Sequence, residues 1–315
     1  MPTTIFGNAR ASAAATGKAD RRAPATSSIV LHVSLTSILR EHAVPLYPIE
    51  VAFLAHGSWS AQKTAIVVPP PTSYRKGLDF ALTGVAFDFF LRALLCVHNM
   101  TPEPGTILDE LAEFLAERHR AGLPTTFPTV IDPIAGSETL NDALAIVNER
   151  RASGIVTGDI LSDAFLQNCI DAARLEGLLR TGNIRPPQTP DTLADLRRLA
   201  KLAWKQRSLL SCERLALNPS FPRFSEILHG CDADAALDDL LIEIKTTKDA
   251  IPIGAATQAV AYAYLDAIEQ RLDGKSPRWY RVGVYAARYG NLCVAPVHAF
   301  AQFFPLLKNA LGILS

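Results

Sequence analysis

Cysteine is scarce and scattered: Cys96, Cys169, Cys212, Cys231 and Cys293 are odd in number, and no two form a CxxC pair. That pattern excludes a zinc ribbon and a clustered-cysteine iron–sulfur site, and it reads as buried thiols in a reducing compartment. Excess charge of either sign is also missing, with 31 basic and 31 acidic side chains. A phosphate-binding groove therefore needs local clustering of Lys and Arg, since global attraction is absent. No uninterrupted apolar run reaches the ~18 residues of a membrane-spanning helix, so no membrane span is expected. The N-terminus lacks the charged start and apolar core of a secretory signal. A cytoplasmic protein is the resulting expectation. The seven histidines show neither HxH nor HExxH spacing, and GxSxG and GxxxxGK[ST] are absent, which leaves zinc hydrolases, serine hydrolases and P-loop enzymes without support.

The chain has 315 residues, of which 49% are hydrophobic, enough for a large α/β domain or a catalytic core with a helical companion. Residues 1–28 are rich in Ala, Thr, Ser, Gly and Arg with few large apolar side chains, and a disordered tail is expected. Residues 29–217 read as mainly helical. Ile29 to Leu39 is apolar and opens either a strand or a helix. Leu78 to His98 is apolar on more than one face, as in a central helix. Further helices are expected over Ile107 to His119, Glu138 to Ala152, Ser162 to Leu179 and Pro190 to Leu210. The periodicity changes after Asn218-Pro219-Ser220-Phe221-Pro222. Residues 218–315 then read as hairpin, helix (Gly254 to Leu272), strand (Arg281 to Ala287), strand (Leu292 to Val297) and helix (Ala299 to Leu314), a mixed α/β core on which the helical region packs.

The hairpin Gly230 to Lys248 carries the chemistry. With Asp238-Asp239 as a two-residue turn, Leu237 faces Leu240, Asp234 faces Glu243 and Asp232 faces Lys245. Alternation then puts Asp232, Asp234, Glu243 and Lys245 on one face, while Ile242 and Ile244 anchor the other face to a helix. Two carboxylates opposed across strands repel unless something positive sits between them. A hard divalent cation fits, Mg²⁺ being held by one or two carboxylates plus water and phosphate oxygens. Lys245 then stands beside the cation, where it orients or deprotonates an attacking water and offsets charge on a phosphorane. The bland alternative is a surface hairpin with solvated acids and a Lys245–Asp232 pair, and a turn one residue longer would move Asp234 to the opposite face.

At these residues the sequence resembles the PD-(D/E)XK nuclease superfamily, closest to its RecB-like branch. Gly230, Asp234, Glu243 and Lys245 correspond to the glycine, first acid and D/E-x-K of that family, and Gln258, Tyr262 and Tyr264 to its following helix. The likeness spans about Ser225 to Gly290. It implies a mixed sheet flanked by helices with a restriction-endonuclease-like core, Mg²⁺ or Mn²⁺ as cofactor, and DNA, or sometimes RNA, as substrate. The usual spacing after Gly230 falls on Ala233, so Asp232 competes with Asp234 for the first metal position. Relatives also draw an acid from an upstream helix, and Asp88 in the Leu78 to His98 helix is the candidate, because an acid in so apolar a helix needs a partner. Arg92, one turn on, is the competing explanation, as a simple ion pair.

Gln258 at the helix start is expected to reach a phosphate or the attacking water, against the alternative of an exposed first-turn amide. Arg197, Lys201 and Lys205 fall at i, i+4 and i+8 and form a basic stripe that would track a phosphate backbone, against a solvated helix face. Arg288, before Tyr289-Gly290, is a further candidate for substrate contact. His229, beside the hairpin, is either a second base or edge packing. Two functions result: a Mg²⁺- or Mn²⁺-dependent deoxyribonuclease, or a non-catalytic nucleic-acid-binding or interaction module on a nuclease-like fold.

Overall fold

Short apolar stretches broken by turns dominate the second half of the chain, and they assemble into one sheet. The computed structural model describes residues 46–59, 65–75, 78–101, 159–181, 188–224, 231–249 and 253–311, with Leu35 and Leu39. The tail at 1–28, the helices expected at 107–119 and 138–152, and His229 lie outside these residues. In chain order the described elements are α1 (Leu46–His56), β1 (Ser58–Trp59), α2 (Leu78–His98), α3 (Asp163–Thr181), α4 (Pro190–Lys205), β2 (Leu215–Leu217), β3 (Ala235–Leu237), β4 (Leu240–Lys245), α5 (Ile253–Leu272), β5 (Arg281–Ala286), β6 (Asn291–Pro296) and α6 (Phe304–Ala310).

The six strands lie in the order β1-β6-β5-β4-β3-β2. Every neighbouring pair is antiparallel except β4 and β5, which are parallel. A parallel step needs a crossover, and α5 supplies it. Two of the strands, β1 and β2, come from before residue 218. Helix α4 stops at Lys205 and continues as a 3₁₀ turn, Arg207–Leu210. The C-terminal helix expected over Ala299 to Leu314 is instead a 3₁₀ segment, Val297–Phe303, followed by α6, which restarts at Phe304 with Pro305 in its first turn. A proline there forfeits no helical hydrogen bond.

Both sheet faces are covered. Ile242, Ile244, Tyr285 and Leu292 pack with α2, α3 and α4, while Leu241, Val282, Val284 and Cys293 pack with α1, α5 and α6. Strand β4 is therefore buried on both faces, an environment in which an ionised side chain is costly unless something compensates it. Helix α2 explains its own composition in the same way, since Phe87, Phe90, Leu91, Leu94 and Leu95 are all fully buried. By length and composition α2 is also apolar enough to cross a membrane, which corrects the reading that no segment qualifies. Asp79, Asp88 and Arg92 interrupt it and conceal it from a search for unbroken runs. Here it packs in one core with the sheet and the helices α3 and α4.

Candidate functional site

The turn at Asp238-Asp239 forms as counted, with Asp238 in the left-handed region (φ 58°). Leu237 pairs with Leu240, Ala236 with Leu241 and Ala235 with Ile242. The ladder then ends, because the Asp234 carboxylate takes over the role of the main chain: its Oδ2 accepts the Ile244 N–H at 2.6 Å. Asp234 is thereby fixed against β4. Glu243 Oε2 lies 2.8 Å from Lys245 Nζ, and Asp234 Oδ2 lies 4.0 Å from the same ammonium. The structure thus brings Asp234, Glu243 and Lys245 together. It does not bring Asp232. Once the chain has left the ladder, Asp232 forms an isolated bridge to Ser220 and is exposed, so it neither faces Lys245 nor joins the carboxylates.

Asp88 arrives from α2. It lines an open cleft of about 430 Å³ together with Gly84, Arg92, Glu176, Asp234 and Lys245. Gly84 lets the helix approach: a Cβ there would come within 3.2 Å of Thr246 Oγ1. Both readings of Asp88 find support, since Arg92 Nη2 donates to Asp88 Oδ2 at 2.6 Å while Asp88 Oδ1 is buried without a hydrogen-bond partner. Glu176, on α3, is the cleft residue that the sequence did not reveal. It sits in a helix of mixed charge with no local signal to distinguish it.

Glu243 is 1% exposed, and its Oε1 has no hydrogen-bond partner. Burial, reinforced by the Asp234 charge, pushes its carboxyl up to about 8, against the pull of Lys245. Burial works against the Lys245 ammonium, but Glu243 and Asp234 together hold its pKa above the ordinary lysine value. Burial likewise raises Asp88, with Arg92 opposing. On the α5 side the Tyr262 hydroxyl is pushed up by burial and by Glu243. Tyr262 stacks on Phe221 at 5.3 Å and receives a hydrogen bond from Gln258 Nε2 at 3.1 Å. Gln258 is therefore tied to Tyr262 and does not line the cleft. Both tyrosines of the helix are buried, Tyr264 against Phe304.

A stability profile follows from Glu243. Its folded pKa lies above the unfolded value, so the folded chain keeps a proton that the unfolded chain has lost. The contribution is full below about 4.5 and is lost as pH rises through about 8. Between those limits each step of one in pH weakens the fold by at most about 1.4 kcal/mol. In EDTA, Glu243→Gln is expected to flatten that decline, with a melting temperature that exceeds the parent's increasingly from pH 5 to pH 8. Parallel profiles for the two proteins would show that Glu243 ionises normally.

Lys201 and Lys205 are exposed on α4, and Arg197 is engaged by Asp163 at 2.6 Å. Arg288 is not a surface contact. It is wholly buried and donates to Thr246 O at 2.5 Å, to Val68 O at 3.1 Å, and through both Nη atoms to the equally buried Asp195. The guanidinium is consumed by carbonyls and a carboxylate from three other segments.

Two buried carboxylate oxygens without partners, Glu243 Oε1 and Asp88 Oδ1, are hard donors of the kind Mg²⁺ and Mn²⁺ take. By donor type the residues fit such a cation. Among the described residues no three Asp, Glu, His or Cys side chains converge as a ready ligand set, and the positive partners now on Glu243 and Asp88 are Lys245 and Arg92. No family model matches the chain, and neither the curated proteins nor the solved structures contain a significant match.

Proposed function

We propose that the chain is a divalent-cation-dependent nuclease acting on DNA, built on a restriction-endonuclease-like core and similar in its site to the PD-(D/E)XK enzymes. The observation that carries this reading is Glu243: a carboxylate with an unpartnered oxygen in a strand buried on both faces, next to Asp234 and Lys245. A sheet built for stability alone has no reason to bury that oxygen without a partner.

Asp234, Glu243 and Asp88 would hold Mg²⁺ or Mn²⁺, which when bound supplies Lewis-acid polarisation of the phosphodiester and a more acidic water. The protein's own part is positional and electrostatic. The Ile244 N–H orients the Asp234 carboxylate, and the covering of β4 excludes water behind Glu243. Lys245 directs an attacking water toward phosphorus and offsets the charge that grows on the phosphorane. The exposed stripe of Lys201 and Lys205 on α4 is available to phosphates along the strand.

A second reading, a non-catalytic nucleic-acid-binding or interaction module, is favoured by one observation: Lys245 and Arg92 already contact Glu243 and Asp88 where a cation would sit. Incubation with closed-circular, linear and single-stranded DNA in Mg²⁺, Mn²⁺ or EDTA separates the two. Cation-dependent cleavage is the expected result, and attack on the closed circle would make the enzyme an endonuclease. DNA binding with no cleavage of any substrate in either cation would leave the non-catalytic module standing.

A further inference from the structure

Arg92 has no role in the chemistry above, yet it lines the same cleft as Asp88, Glu176, Asp234 and Lys245. Its side chain is 12% exposed, and its guanidinium is held 2.6 Å from Asp88 Oδ2, with the Phe89 ring 5.9 Å away. The other Asp88 oxygen is buried and without a hydrogen-bond partner. An arginine in a phosphodiester-binding cleft has the planar fork suited to a phosphate, but one paired to a carboxylate presents fewer donors to it.

We infer that Arg92 is a phosphate-binding residue held in reserve by Asp88, and that a divalent cation taken up by Asp88 hands it to the DNA backbone. This rests on the nuclease reading and adds regulation to it: cation and DNA bind with positive coupling, each tightening the other by the same factor. The physical basis is competition. With the carboxylate neutralised by a cation, the Arg92–Asp88 attraction falls, and the guanidinium gains more from a phosphate oxygen than from Asp88. Arg92 already lines the cleft into which the phosphate would come.

The test is fluorescence anisotropy of a labelled DNA duplex with the full chain, in EDTA and in Ca²⁺, which takes the same oxygen donors, the duplex being checked for integrity on a gel. In the parent, Ca²⁺ is expected to tighten DNA binding about tenfold, within the usual range for coupled sites. Arg92→Gln is expected to lose most of that gain, while binding Mn²⁺ more tightly in the absence of DNA because the competitor on Asp88 is gone. Arg92→Lys keeps the charge without the fork and should fall between. Asp88→Asn/Arg92→Gln retains an uncharged pair and guards against a folding defect; it too should lose the gain. An unchanged Ca²⁺ gain in Arg92→Gln, or a loss of DNA affinity equal in EDTA and Ca²⁺, overturns the inference. If the parent cleaves DNA while either of those results holds, the inference alone fails. If the parent binds no DNA under either condition, the nuclease reading fails with it.

Discussion

Lys245→Ala is expected to lower cation-dependent DNA cleavage by at least about 10²–10³-fold, the usual loss when a pre-positioned charge-stabilising group is removed. The loss should fall on the single-turnover rate more than on DNA binding, because the ammonium acts where charge grows in the transition state. The fold should survive. Lys245 is 30% exposed at its side chain and sits at the end of β4, and Glu243, already raised to about 8, keeps its proton at neutral pH when its partner is gone. A melting temperature within a few degrees of the parent, together with the lost rate, is the expected pair of results. Unchanged cleavage would sink the assigned role of Lys245.

Arg288→Met is expected to produce the largest loss of stability. Both Arg288 and Asp195 are 0% exposed at the side chain, and removing one member of a buried pair costs about 3–5 kcal/mol because a charge is stranded. For a chain of this size that corresponds to a fall in melting temperature on the order of 10 °C. Tyr74 and Arg198 still reach Asp195, which limits the damage, while the carbonyls of Val68 and Thr246 lose their donor. Asp195→Leu/Arg288→Met, which strands no charge, should recover part of the loss. A surface phosphate contact would behave oppositely, with normal stability and weaker DNA binding. Thermal unfolding of the three proteins decides between them.

These two residues also show what the sequence can and cannot disclose. Helix α2 is legible to the residue because its apolar content is local, and the Asp238-Asp239 turn because it lies between two short apolar runs. Asp88 stands out as an acid in an apolar helix. Register is readable from the turn as far as Ala235–Ile242. It fails beyond that point because the Asp234 side chain replaces a main-chain partner, and because Asp232 answers to Ser220 across a contact that no local pattern encodes. Arg288 escapes a local reading for the same reason: its carboxylate partner is 93 positions away, and periodicity cannot report that a charged side chain is buried. Glu176 joins the cleft only through the packing of α3 on α2.

Thermal unfolding with and without cation tests the central claim, a divalent-cation site at Asp234, Glu243 and Asp88, most directly. The parent in Mn²⁺ or Mg²⁺ is expected to melt at a higher temperature than in EDTA, with a gain of about 2.7 kcal/mol when the cation stands at a hundred times its dissociation constant and a logarithmic rise beyond it. Asp234→Asn/Glu243→Gln is expected to show no such gain. A parent whose stability no divalent ion alters, or a variant that gains as much as the parent, would contradict the site.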